Sequence, residues 1–220
     1  MSLVLPVIHH LDENTTLEQA EIAHKCDADG IFLISHFNRD KDLAPIASSI
    51  KKLYPQENFK VGLNLLNTHP LNTFEIVEKY NLDSLWLDTP GINSNGLSRL
   101  AHDLIEKMKN SPSIEVFASL AFKYQAVENF PAKAALFAKE NGFIPTTSGT
   151  KTGIPPSVEK ITEMSKATDG LLAVASGMDV DNIKNYSQYL SHILVATGVS
   201  IDEHRFDKDL LQKFIKLCRN

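Results

Sequence analysis

At 220 residues, with 43% hydrophobic and 22% charged side chains, the chain is long enough to bury a full core without disulfides or metals, and its composition is globular. A net charge of −5 gives no electrostatic reason to expect nucleic acid or an anionic membrane as partner, and no apolar run reaches the roughly 18 residues of a membrane span. Cys26 and Cys218 lie far apart, without a CxxC pair or a histidine at ligand spacing, so they read as reduced thiols in a cytoplasmic protein that needs no metal or other cofactor.

Leu3 to His9 is a β-type run rich in Leu and Val, with no basic leader before it, and Thr15-Thr16-x-Glu18 then opens a helical pattern. Gly30 ends the turn. Ile31 to Ser35 reads as the second strand, and Leu43 to Tyr54 follows with Ile46, Ile50 and Leu53 at helical spacing. Val61 to Leu66 is the third strand, after which Pro70 stands where a first helical turn tolerates proline. The pattern continues with Ser84 to Asp88 and a helix from Leu97 to Met108, then Ile114 to Phe122 and a helix from Pro131 to Lys139. Three more units follow: Thr146 to Ile161, Ala173 to Ile183 with a helix opened by Asp179 to Asn182, and Ile193 to Ser200 with a helix from Asp207 to Leu217. Eight strands and eight helices in alternation, about 30 residues per unit, predict an α/β fold. Its most economical form is one (β/α)8 TIM barrel over residues 1–220, with an open doubly wound sheet as the alternative.

In a barrel the strand ends converge on one rim, so polar residues there are candidates for chemistry. Strand one ends in His9-His10, adjacent residues that must face opposite ways, so one of them faces the mouth. Strand two ends in Ser35-His36, where the loop histidine is a weaker candidate, and strand three carries Asn64 and Asn67, which could bind ligand or cap the next helix. Strand four ends in Asp88, and strand five places Ser119 and Lys123 on one face if it runs that far; Asp88 and Lys123 are candidates for an acid/base pair or for a Schiff-base lysine tuned by a carboxylate, against the plainer reading of a barrel-mouth ion pair. Strand six ends in Thr146 to Ser148, with Gly149 next and Lys151 in the loop as candidate ligand contacts. After strands seven and eight, Ser176-Gly177 and Thr197-Gly198 offer backbone amides that could hold an anion, helped by the helix expected to begin near Asp179.

Five ordered segments carry a resemblance to the BtpA/SgcQ family along nearly the whole chain. Lys60 to Leu71 (KVGLNLLNTHPL) is similar to the family's PxGVNxLRND, and Asp83 to Leu97 to its FIRVNxxxGxxxxDQGL. Val116 to Tyr124 (VFASLAFKY) resembles VFADVxVKH, Ser148 to Pro156 (SGTKTGIPP) resembles TGxxTGxPP, and ASGMDVDNI resembles GSGVTPENV. The resemblance implies a (β/α)8 fold of the ribulose-phosphate-binding kind, with a phosphate site at Ser176, Gly177, Ala196, Thr197 and Gly198. By name the family is linked to assembly of photosynthetic membrane complexes and to gene clusters of sugar metabolism, so no single reaction comes with it. Here HHLDEN stands for the family's HxPPLPG, SHFN for ENYGD, Ser119 for an Asp, and Asp88 for an Asn, while Lys123 matches the family's lysine.

Together these readings point to a barrel that binds a phosphorylated small molecule, a sugar or nucleotide phosphate, and acts on it as a lyase, isomerase or transferase. Asp88, Lys123 and His9 would do the chemistry, and Ser148, Gly149, Lys151, Ser176, Gly177, Ala196, Thr197, Gly198 and Asn64 would contact substrate or phosphate. The alternatives are a non-catalytic assembly factor that keeps the anion site, and a class I aldolase using Lys123 or Lys151. Self-association stays open.

Overall fold

The computed structural model describes residues 1–55 and 58–219. Eight parallel strands close on themselves: Leu3–His9, Gly30–Ile34, Lys60–Asn64, Ser84–Leu87, Glu115–Ser119, Ile144–Thr147, Ala173–Ala175 and His192–Val195, called strands one to eight. The first pairs with the last, Leu3 opposite His192, and every neighbouring pair runs parallel, as strands joined by helical crossovers must. Around the barrel lie α1 (Glu13–Lys25), α2 (Asp40–Leu53), α3 (Pro70–Lys79), α4 (Arg99–Asn110), α5 (Pro131–Glu140), α6 (Val158–Ala167) and α7 (Lys208–Arg219). This is the expected TIM barrel.

Helix starts follow local chemistry. Asp12 caps α1 by accepting from the Thr15 amide, Ser98 caps α4 through Ala101, and Pro70 and Pro131 occupy first helical positions where no N–H is needed. The first helix begins ahead of the helical pattern at Thr15; Asp12 takes the cap because its carboxylate is the stronger acceptor.

One connection departs from the alternation. After strand seven the chain makes two short 3-10 turns, Ile183–Asn185 and Ser187–Tyr189, in place of the full helix expected from Asp179 onward. The cause is local: Asp179 Oδ1 accepts from the amides of Asp181 and Asn182, and Asn182 Oδ1 from that of Asp179, so the side chains close a tight turn that competes with an α-helix.

The strand periodicity of two sorts side chains into two cores. Leu5, Val7, Phe32, Ile34, Trp86, Phe117, Ile144 and Leu194 fill the barrel, where the Phe32 ring meets Phe117 edge to face at 5.1 Å. Ile31, Leu33, Leu63, Leu85, Leu87 and Val116 point outward against the helices. The N-terminal ends of the strands are tied by a repeated device. Asp29 accepts from the Val4 amide and pairs with Arg219, and Asp83 accepts from the Val61 amide and pairs with Lys51. Rigid strand ends at one side leave the other side free to carry the site.

Candidate active site

A cavity of about 290 Å³ opens at the C-terminal end of the barrel. Val7, Ile34, Trp86, Ala175 and Leu194 form its apolar lining, which is the top of the inner core. His9, His36 and Lys123 face it, together with Thr152 and Gly153 from the loop after strand six and with two turns, Ser176 to Asp179 and Ala196 to Gly198.

Strand alternation settles the pair His9-His10. His9 lines the mouth, whereas His10 is buried towards α1, its Nδ1 2.8 Å from Thr16 Oγ1. The His9 ring stands edge on to His36 with centroids 5.0 Å apart, and its Nδ1 is buried with no hydrogen-bond partner among the described residues. Burial, and then the charges of His36, His204 and Lys123, lower its pKa to about 4, so it is neutral at pH 7. His204, from the loop after strand eight, reaches back with Nδ1 2.9 Å from the His9 carbonyl.

Strand five ends at Ser119, short of the expected Phe122, so Lys123 stands on the segment beyond it; Asp88 and Lys123 both sit beside this mouth and make no ion pair among the described residues. Each still feels the other. Burial raises the Asp88 carboxyl pKa against the opposing pull of a hydrogen bond from Asn64 and the Lys123 charge; burial lowers the Lys123 amine against Tyr124 and Asp88. Lys123 Nζ instead lies 3.2 Å from Thr152 Oγ1. Gln125, which the sequence did not single out, fixes the strand ends beneath them by donating from Nε2 to the carbonyls of Asp88 (2.7 Å) and Ser119 (2.9 Å). Ser119 itself accepts from Trp86 Nε1 at 2.8 Å, inside the barrel.

The two glycine turns line the cavity as expected, and the amides of Gly177, Thr197 and Gly198 are committed to no acceptor among the described residues. Their glycines also serve close packing. A Cβ on Gly177 would strike the backbone of Ile154 and Pro155, and one on Gly198 the carbonyl of Met178, so three loops are stacked backbone on backbone. Ser176 holds a positive φ of 84° and accepts at Oγ from the Gly153 amide. The positive end of a helix at Asp179 is absent: Asp179 to Asn182 is a tight turn, and only a 3-10 turn of three residues, Ile183–Asn185, follows it.

The remaining candidates lie around the cavity. Asn64 is buried, with Nδ2 donating to the Trp86 carbonyl at 2.8 Å, and reaches the site through Asp88. Ser148 and Gly149 are buried behind the rim: Ser148 Oγ accepts from the Lys123 amide at 2.8 Å and donates to the Gly149 carbonyl. Lys151 is exposed on the loop. Among the described residues no cluster of three or more His, Cys, Asp or Glu is placed to hold a metal ion, and no helix is long and apolar enough to cross a membrane. Cys26 and Cys218 are both buried free thiols, and burial pushes Cys218 up to about 12.

No family model matches the chain, and no curated protein matches it in sequence. Solved structures do. A phosphoribosylanthranilate isomerase of Thermotoga maritima, described as mutually generated monomers of a dimeric enzyme, superposes with a TM-score of 0.69 at 18% identity, covering 100% of this chain and 99% of that one. A phosphoribosylanthranilate isomerase in complex with reduced 1-(o-carboxyphenylamino)-1-deoxyribulose 5-phosphate gives 0.66 at 16% identity, over 100% and 99% of the chains. KGPDC from Streptococcus mutans gives 0.67 at 11% identity, over 100% and 98%. At these identities the likeness speaks for the fold: the chain is similar over its whole length to TIM barrels, one of which holds a phosphorylated ligand.

Proposed function

We propose that this chain binds a phosphorylated small molecule, a sugar or nucleotide phosphate, and acts on it as an isomerase, lyase or transferase by moving protons at the barrel mouth. One observation carries the reading: a single cavity joins the amides of the two glycine turns to His9 and Lys123, so a ligand phosphate on the former puts its remaining atoms against the latter. Ser176, Gly177, Ala196, Thr197 and Gly198 would take the phosphate through backbone amides, and neutral His9, which lines the mouth, would exchange a proton with the substrate, with Asp88 and Lys123, each driven by burial towards its neutral form, as further acid and base. Ser148, Gly149 and Asn64 would support the site from behind. The five ordered segments support a place beside the BtpA/SgcQ proteins, and the ligand-bound structural neighbour supports the phosphate.

A Schiff-base mechanism at Lys123 is the second reading, favoured because burial lowers its amine towards the reactive neutral form. Borohydride added with a carbonyl phosphate would then leave added mass on the Lys123 peptide, and an unchanged mass removes that reading.

The test of the main reading is thermal unfolding with phosphorylated and unphosphorylated forms of the same sugars and nucleosides. Binding raises apparent stability by mass action, about 2.7 kcal/mol at one hundred times Kd. We expect at least one phosphorylated compound, and none of its unphosphorylated partners, to raise Tm. Thr197→Asp places a carboxylate at an exposed point of the turn; it should abolish that rise and leave the ligand-free Tm unchanged. A full rise in the variant would move the phosphate elsewhere.

A further inference from the structure

We infer that Lys160 is a positioning residue for Lys123: its ammonium clasps the ends of strands five and six and so fixes where the Lys123 amine stands in the mouth. The inference rests on the reading of Lys123 as a working group of that mouth, though the clasp itself involves no ligand.

Lys160 is the third residue of α6, where Ser157 Oγ accepts from its amide at 3.2 Å and anchors the backbone. Side chains on a helix lean towards its N-terminus. The Lys160 chain therefore runs back beneath the loops, and its Nζ donates to the Ala121 carbonyl at 2.5 Å and the Ser148 carbonyl at 2.8 Å. Those carbonyls belong to the segments that leave strands five and six, respectively. Ser148 closes the circuit from the other side, because its Oγ accepts from the amide of Lys123 at 2.8 Å. The chain from Ala121 to Lys123 is thus held against strand six at both ends, with Lys123 Nζ delivered to Thr152 Oγ1.

The location is adverse for a cation, which argues that the charge has a task. Lys160 stands in the first turn of α6, where the helix dipole disfavours positive charge, and it pairs with no carboxylate among the described residues. Burial lowers its pKa to about 8. What an ammonium supplies there, and a space-filling methionine does not, is donors for two converging carbonyls. One of these lies on a bent segment: Ala121, whose carbonyl also accepts from Thr147 Oγ1 at 3.3 Å, holds a φ of 47° and Tyr124 of 66°, left-handed conformations that residues with a Cβ rarely adopt.

Lys160 is not among the charges that act on Lys123, which are Tyr124 and Asp88. Removing a nearby cation would by itself also raise Lys123, so Ser148→Ala, which frees the same segment without changing a charge, must move it in the same direction. The experiment is competitive acetylation of the native, ligand-free chain with acetic anhydride between pH 6 and 10, read by mass spectrometry at the Lys123 peptide. Wild type is compared with Lys160→Met and Ser148→Ala, and the His192 imidazole resonances, from the closed end of the barrel, are followed by NMR as a control. We expect the Lys123 midpoint to rise in both variants towards that of an ordinary lysine, with the His192 resonances unchanged; a midpoint higher by one on the pH scale leaves about a tenth as much neutral amine. An unchanged Lys123 midpoint in Lys160→Met overturns the proposal. So does a simultaneous change at His192, which lies at the opposite end of the barrel and does not feel the Lys123 charge, since that marks a general loosening of the barrel. Should Lys160→Met fail to fold, Ser148→Ala decides by the same readout. The result is independent of ligand binding, so it stands or falls apart from the thermal unfolding panel.

Discussion

Around the mouth, one physical cause acts on three side chains. Desolvation lowers His9, lowers Lys123 and raises Asp88, so each is driven towards its neutral form, and the mutual charges of Asp88 and Lys123 only partly oppose this. The shifts move Asp88 and Lys123 in the direction that suits an acid and a base working near neutral pH, while His9 moves below that range. For whichever phosphorylated substrate the panel identifies, we expect Lys123→Ala and Asp88→Asn each to lower kcat by about a hundredfold or more, with KM nearly unchanged because neither touches the glycine turns. Steady-state kinetics at pH 7 check this; a rise in KM alone would move both residues from chemistry to binding. Strand-end position was enough to bring these two residues forward from the sequence. The choice between His9 and His10 was not legible until the strand's phase relative to the barrel axis was known, and Lys160 was hidden because a helix residue joins loops some 12 and 39 positions away.

The glycine turns show how one element can be read correctly for position and incompletely for cause. Their place on the rim follows from the repeat of strand and turn, but the packing of Gly177 on Ile154 and Pro155 depends on a loop from a different unit. Gly177 also holds a φ of 79°. Gly177→Val therefore adds a branched side chain where backbone already stands, in a conformation that L-residues rarely adopt. We expect a loss of about 2 to 4 kcal/mol, seen as a lower urea midpoint, before any effect on phosphate. A variant as stable as wild type that still fails to bind would assign the glycine to the ligand alone. The seventh crossover is the element that the sequence misrepresented. Its residues carry a helix-like start at Asp179 to Asn182, yet Asp and Asn side chains bond their own backbone there, a competition that apolar periodicity does not register. The barrel tolerates it because Ile183 and Tyr186 still bury their side chains against the outer core.

At the scale of the whole molecule, histidines at opposite ends of the barrel link stability to pH: buried His192 at the floor, and half-buried His9 with its buried neighbour His10 at the mouth, all with a pKa lowered by desolvation. His192 begins strand eight at the closed end, with its ring edge on to Phe117 at 5.2 Å, Nδ1 2.8 Å from Ser191 Oγ, and only 6% of its surface exposed. Burial lowers its pKa from 6.5 to about 4, and His9 at the mouth is lowered to about 4 as well. In the unfolded chain both titrate near 6.5, so between pH 6.5 and 4 the unfolded state binds more protons and stability falls as pH falls. Above pH 6.5 neither state is protonated and the effect vanishes; below 4 both are, and the loss has reached its full size of about 3 kcal/mol for each histidine. Asp88 acts in the opposite sense, since a raised carboxyl pKa lets the folded state take up its proton first and offsets part of the loss. We therefore expect urea unfolding at about pH 7, 6, 5 and 4.5 to show stability falling steadily across the window, and His192→Leu to make the slope distinctly shallower. The leucine keeps an apolar group beside Phe117 and has no proton to bind, so its stability at pH 7 should change less than its pH dependence. A slope that is the same in His192→Leu as in wild type would mean that the imidazole at the barrel floor is already solvated, and that the closed end of the barrel is looser than its packing indicates.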